Sequence, residues 1–276
     1  MSSAPPELKY ISTTVDNGIA ILKYNRPEAG NALSNGVFKD LLASTEWALS
    51  NDEVRVVVQT GEGKFFTTGM DLEAAVTPAA DKPTTVLPED SIVILGKYHE
   101  LLINTNKILI AAVNGPGIGY GTSSIALFDL VYAVPEAYFF TPFVKWGLCA
   151  EACSSVTFSR IMGRQKAAAL LLADERLTAA ELERAGLITK IIPARNFIPD
   201  VLRIAQRIAR LPPRSLAFNK ELMMKPLKQE LLGANEAELA GLRLRAADSE
   251  PGNAMKAFVL DQERKRKEKT AKHSHL

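Results

Sequence analysis

The stretch VNGPGIGYGTSSIALFDLVYA, residues 113–133, packs four glycines into seven positions and then runs into an apolar segment. Glycine serves where φ must be positive or where something approaches the main chain too closely for a side chain. The residues before it, KILIAAV (107–113), read as a buried strand, and 120–128 read as a helix. Backbone N–H groups at the start of a helix carry partial positive charge and attract anions. The spacing therefore predicts an anion or oxyanion site on a strand-to-helix turn.

Two familiar anion sites do not fit. Counted from Gly115, the third glycine of a dinucleotide fingerprint falls on Tyr120, and counted from Gly117 it falls on Thr122. No acidic residue stands at the end of a following strand, where the ribose would need one. The Gly-Lys-Ser/Thr ending of a P-loop is absent. A second glycine turn bears on the choice: GEGKFFTTGMDLEAA (61–75) follows a predicted strand at 54–60 and puts Gly69 directly before Met70. Two such turns can aim two backbone N–H groups at one oxygen, which is the arrangement of an oxyanion hole.

Further out, β-rich runs at 18–24, 54–60, 107–114 and 130–134 alternate with helical patterns at 37–50, 91–105 and 120–128, which predicts an α/β core with parallel strand pairs. Residues 78–88 are polar and proline-bearing and read as an exposed loop. From Phe197 onward strand signals stop and four helical segments follow, separated by prolines. The predicted organisation is an α/β core over 1–196 and a helical region over 197–276, packed on the core or on a neighbouring subunit.

The chain has 276 residues, 47% of them hydrophobic and 23% charged, with a net charge of only +2. These values suit a globular protein and point to no nucleic-acid partner; the basic run 263–272 reads as a solvated helix face. Cys149 and Cys153 give no disulfide framework, and with His99, His273 and His275 they complete no zinc pattern, so no metal is expected. No apolar run reaches membrane-spanning length, and the N-terminus lacks the apolar core of a signal peptide. The last residues, Ser274, His275 and Leu276, are similar to the peroxisomal import tripeptide S-K-L. The expected location is the peroxisome, reached through its import receptor, with the cytoplasm as the alternative.

The motifs NRPEAGNAL (25–33), FFTTGMDL (65–72), AAVNGPGIGYG…LFDLVYA (111–133), TPFVKWGLCAEACSS (141–155) and LTAAELERAGLITKII (177–192) occur in the order found in the crotonase (enoyl-CoA hydratase/isomerase) superfamily, which the chain resembles over nearly its whole length. The resemblance implies a spiral of ββα units with a C-terminal helical region. It also implies a homotrimer or dimer of trimers and acyl-CoA thioester substrates, with no cofactor beyond the substrate's own CoA. It places the oxyanion donors at the backbone N–H groups of Met70 and Tyr120. It puts the CoA moiety along Thr67, Thr68, Gly69, Met70 and Asp71, with Arg26 as a candidate for its phosphates.

The same comparison puts the two glutamates of hydratases at Ser123 and Phe143, so both are missing here. One acid remains nearby, Glu151. Read locally, it is an acid favourably placed near a helix N-terminus. Read within the resemblance, it is the single catalytic glutamate of peroxisomal-type Δ3,Δ2-enoyl-CoA isomerases, whose P-F-x-x-x-G-L/Q-x-x-E-x-x-S/T-S/T setting residues 142–155 match. The expected activity is migration of a 3-enoyl-CoA double bond to the trans-2 position in fatty-acid β-oxidation. The alternatives are another acyl-CoA transformation, as in secondary metabolism, and a non-catalytic acyl-CoA-binding or scaffold member.

Overall fold

The computed structural model describes residues 4–71 and 87–273. Nine strands occur among them: β1 (Ile11–Asp16), β2 (Ile19–Tyr24), β3 (Val56–Gly61), β4 (Ile108–Val113), β5 (Gly117–Ile118), β6 (Leu130–Ala133), β7 (Tyr138–Phe140), β8 (Leu177–Thr178) and β9 (Lys190–Ile191). They form a six-stranded sheet ordered β1-β2-β3-β4-β6-β9 and a three-stranded sheet ordered β5-β7-β8. From β2 to β9 every neighbouring pair in the larger sheet is parallel. Every residue of β3 and β4 is buried, as expected for strands covered on both faces.

The α/β alternation read from the sequence is present; that reading does not mark β5, β7, β8 or β9, and two further differences have local causes. The first is β1, which pairs antiparallel with β2 through a two-residue turn at Asn17 and Gly18, both at positive φ. Asn-Gly is the preferred pair for such a hairpin. The second concerns residues 120–128, expected as one helix. The α-helix covers only Tyr120–Ser123 and tightens into a 3-10 turn over Ser124–Leu127. Thr122 Oγ1 donates to the Gly117 carbonyl at 2.6 Å, and Ser123 Oγ to the Tyr120 carbonyl at 3.3 Å. Hydroxyls bonding back to the main chain compete with a regular helical ladder.

After β9 the described residues are almost wholly helical: Phe197–Ala209, Pro213–Met224, Lys228–Ala246 and Ser249–His273. The first packs on β2, β3 and β4, and the third on the Glu89–Asn104 and Ser154–Met162 helices. The second is pinned by buried Lys220, whose Nζ donates to the Lys107 carbonyl at 2.6 Å and to Asp129 at 2.7 Å. Most of the predicted loop at 78–88, and the terminal Ser274, His275 and Leu276, lie outside the described residues.

Candidate active site

The two glycine turns meet. Thr67 bridges Gly117 in parallel register, and the Ile118 N–H donates to the Thr67 carbonyl at 3.0 Å. Gly69 sits at φ 78° and Gly119 at φ 56°. A Cβ on Gly69 would lie 2.6 Å from the Ile118 carbonyl oxygen and 3.6 Å from the Gly119 Cα. Only glycine permits both the conformation and the approach.

This approach brings Met70 and Tyr120 onto one cavity. Met70 bridges Leu33, and the bonds of that bridge are made by the Gly69 carbonyl and the Asp71 N–H. The Met70 N–H therefore points away from Leu33. Tyr120 opens a helix, so its N–H has no intrahelical acceptor. Both residues border the cavity where the two turns meet.

The cavity holds about 290 Å³ and is walled chiefly by apolar side chains, among them Phe143, Trp146, Leu148 and Phe258. Glu151 lines it from the segment before the Ser154–Met162 helix. Among the described residues its carboxylate has neither a hydrogen bond nor an ion pair. Burial, with the nearby Glu238 carboxylate adding to it, pushes its pKa up to about 8. An acid that titrates near neutral pH in an apolar cavity is suited to carrying a proton.

The other expected residues divide. Thr68 and Gly69 line the cavity; Thr67, Asp71 and Arg26 do not. The Thr67 hydroxyl is buried and donates to the Asn31 carbonyl at 2.7 Å. Arg26 reaches the Ala32 carbonyl at 2.7 Å and Asp71 at 3.0 Å, which fixes the first motif against the second. Ser123 is buried behind Tyr120, and Phe143 packs with Trp146, Leu148 and Met255. Neither hydratase position supplies an acid. Among the described residues no group of three or more His, Cys, Asp and Glu could hold a metal, and no helix is long and apolar enough to cross a membrane.

Three residues with no place in the sequence motifs sit beside the site: His99, Asn235 and Glu238, all buried. Asn235 and Glu238 share the buried face of the Lys228–Ala246 helix with Leu231, Ala234 and Leu242. Polar residues at helical spacing within an apolar stripe are the signal that could have found them.

Residues 14–267 match the family described as Enoyl-CoA hydratase/isomerase. The chain is 37% identical to rat (Rattus norvegicus) enoyl-CoA delta isomerase 2 over 92% of its own length and 64% of the relative's, so it spans just under two thirds of that protein. It is 34% identical to mouse (Mus musculus) enoyl-CoA delta isomerase 3, peroxisomal, over 92% of this chain and 79% of that one. Among solved structures, the enoyl-CoA hydratase/isomerase from Pseudoalteromonas atlantica T6c is similar, with a TM-score of 0.83 and 30% identity over 92% of this chain and 98% of that chain.

Proposed function

The chain belongs to the crotonase-fold enoyl-CoA hydratase/isomerase family, and from that premise we propose that it is a Δ3,Δ2-enoyl-CoA isomerase working with one glutamate. The observation that carries this reading is the acid inventory of the cavity: Glu151 is the one carboxylate among its described lining residues. Hydration in two-acid fashion needs a water held between a base and an acid, and Phe143 fills the place of one partner with an aromatic ring. The names of the rat and mouse relatives point the same way.

In the proposed reaction the thioester oxygen of a 3-enoyl-CoA enters between the Met70 and Tyr120 N–H groups. Ionised Glu151 takes a proton from C2, and the electron pair spreads over C2, C4 and the thioester oxygen. The two N–H groups stabilise that oxygen, an effect worth about 3–4 kcal/mol per donor in comparable sites. Protonated Glu151 then delivers its proton to C4, which leaves the double bond between C2 and C3 and regenerates the carboxylate. A peroxisomal setting is part of the same proposal, supported by the printed name of the mouse relative.

The test measures conversion of 3-hexenoyl-CoA beside hydration of crotonyl-CoA. The wild-type chain is expected to isomerise and to hydrate poorly. Glu151→Gln keeps the shape but cannot shuttle a proton, so kcat should fall by about 10⁴-fold, the upper end for general acid–base catalysis. KM should move far less. Near-wild-type turnover by Glu151→Gln would sink the mechanism.

A further inference from the structure

The Lys228–Ala246 helix buries an acid where its neighbours are apolar. Glu238 is only 7% exposed, and it is held by backbone N–H groups and the Ser155 side chain rather than by a cation. Oε2 accepts from the Cys153 N–H at 2.7 Å, and Oε1 from the Ser155 N–H at 2.9 Å. Cys153 belongs to the turn directly after Glu151, and Ser155 to the first turn of the Ser154–Met162 helix that follows it. In the turn after Glu151, Ala152 (φ 55°) and Cys153 (φ 59°) are consecutive non-glycine residues in the left-handed region. Side chains resist that conformation, and such strain persists only where surrounding contacts over-determine it.

One turn along the same face, Asn235 reaches the other half of the site. Its Oδ1 accepts from His99 Nδ1 at 2.8 Å, while its amide donates to the Gly96 carbonyl at 3.3 Å. His99 Nε2 accepts from the Tyr120 hydroxyl at 3.1 Å, and the two rings stack at 5.8 Å and 19°. Burial lowers the His99 pKa to about 4, so the ring is neutral and can donate at one nitrogen while accepting at the other. Tyr120 is thus held by its side chain at the residue whose N–H faces the cavity.

We propose that the Lys228–Ala246 helix is the positioning element of the site: Glu238 holds the left-handed turn that aims Glu151, and Asn235, through His99, holds Tyr120 at the oxyanion position. The inference rests on the isomerase reading for the roles of Glu151 and Tyr120.

Glu238 also acts on Glu151 by charge. Among the described residues, the titratable groups around Glu151 are Tyr120 from the oxyanion turn, Lys145 and Cys149 from the preceding segment, Cys153 from the following turn, and Glu238; Arg245 acts on Cys149. Burial raises Tyr120, Cys149 and Cys153, so all three stay neutral near pH 7. The two N–H bonds favour the ionised form of Glu238, whereas Glu151 has no such donors. Burial raises the Glu238 carboxyl as well, and its hydrogen bonds from Ser155 and Cys153 hold that rise in check.

Glu238→Gln and Glu238→Asp separate charge from reach. In the glutamine variant one N–H faces an amide nitrogen and the second negative charge is gone. Its kcat is expected to fall by on the order of 10²-fold, as for a catalytic group misplaced by about 1 Å, with KM little changed. The acidic limb of kcat/KM against pH moves to lower pH by about one unit. Glu238→Asp keeps the charge but cannot span both N–H groups, so kcat falls while the limb stays. Asn235→Ala lowers kcat and also leaves the limb in place.

An infrared difference titration reads Glu151 directly, through the protonated-carboxyl band that Glu151→Gln removes. That band should titrate at lower pH in Glu238→Gln, whichever substrate the enzyme prefers. A wild-type chain inert towards 3-enoyl-CoA overturns the isomerase reading, and the band still tests the positioning. Wild-type kcat, limb and band in folded Glu238→Gln overturn the positioning role. If that variant does not fold, wild-type kcat in Glu238→Asp overturns it equally.

Discussion

A carboxyl that must take a proton and return it works best when neither form is strongly favoured, and Glu151 meets that demand through its surroundings rather than through a partner. Its folded pKa of about 8, against an ordinary 4.5, has a consequence for stability. Between those two values the folded chain holds a proton that the unfolded chain has released. Stability therefore falls as pH rises from about 4.5 to about 8, and the loss is complete above the folded value. Glu151→Gln removes that dependence. Denaturant melts at pH 5 and pH 9 should show the glutamine variant gaining relative to wild type at the higher pH, by up to a few kcal/mol. A gain independent of pH would place the ordinary carboxyl pKa back on Glu151. That an acid stands at this place in the cavity motif is legible in TPFVKWGLCAEACSS, but its ionisation is not. Phe143, Trp146 and Leu148 of its walls lie in the same stretch, but Leu95, Leu242, Phe258 and the second carboxylate come from distant parts of the chain, which only folding brings near.

At the scale of elements, the glycine turns are legible because their constraint is local. Positive φ and close main-chain approach exclude side chains whatever the rest of the fold does. The strands β2, β3, β4 and β6 are legible for a similar reason, since continuous apolar runs bounded by turns have few other homes. β1 escapes such a reading because ISTTVD alternates weakly and only its Asn17-Gly18 turn marks it. The helix expected over 120–128 comes out shorter because periodicity does not register hydroxyls that bond back to carbonyls. Gly69 and Gly163 allow strain to be separated from contact. Both sit at φ 78°, but a Cβ on Gly163 meets nothing within 4 Å, whereas one on Gly69 meets the Ile118 carbonyl at 2.6 Å. Gly163, at ψ 155°, lies in a region that only glycine adopts readily, so Gly163→Ala should cost about 1–3 kcal/mol of stability and leave kcat intact. Gly69→Ala should carry a comparable strain and also push the two turns apart, so kcat should fall by about 10²–10³-fold, as when one oxyanion donor is lost. Equal kcat values for the two alanine variants would show that the Gly69–Gly119 approach does not set the donor geometry.

At the scale of the molecule, the cavity is built by both regions of the chain. Tyr120, Phe143 and Glu151 come from the α/β part, and Leu242 and Phe258 from the last two helices. The end of strand signals after β9 marks the change in secondary structure, but helical periodicity says only that a face is apolar and not what covers it. The covering contact is specific: the Phe258 ring meets Trp146 edge-on, with centroids 4.8 Å apart and an interplanar angle of 82°. Met255, fully buried one turn earlier, packs in the cluster of Phe143, Trp146 and Leu148. The Ser249–His273 helix thereby supplies part of the cavity wall, where the Lys145 ammonium lies over the Trp146 and Phe258 rings. Phe258→Ala keeps Glu151, Met70 and Tyr120 untouched and removes one wall. Each methylene that fits or fails to fit an apolar pocket is worth about 1–3 kcal/mol, or roughly 10–200-fold. The expected outcome is a rise, on the order of tenfold, in kcat/KM for long-chain relative to short-chain 3-enoyl-CoA. The Glu151-dependent pH limb should be unchanged. A series of 3-enoyl-CoA thioesters of increasing length measures this ratio directly. An identical chain-length profile in folded Phe258→Ala would mean that the acyl chain runs along another wall, and that Phe258 serves only to dock its helix on Trp146.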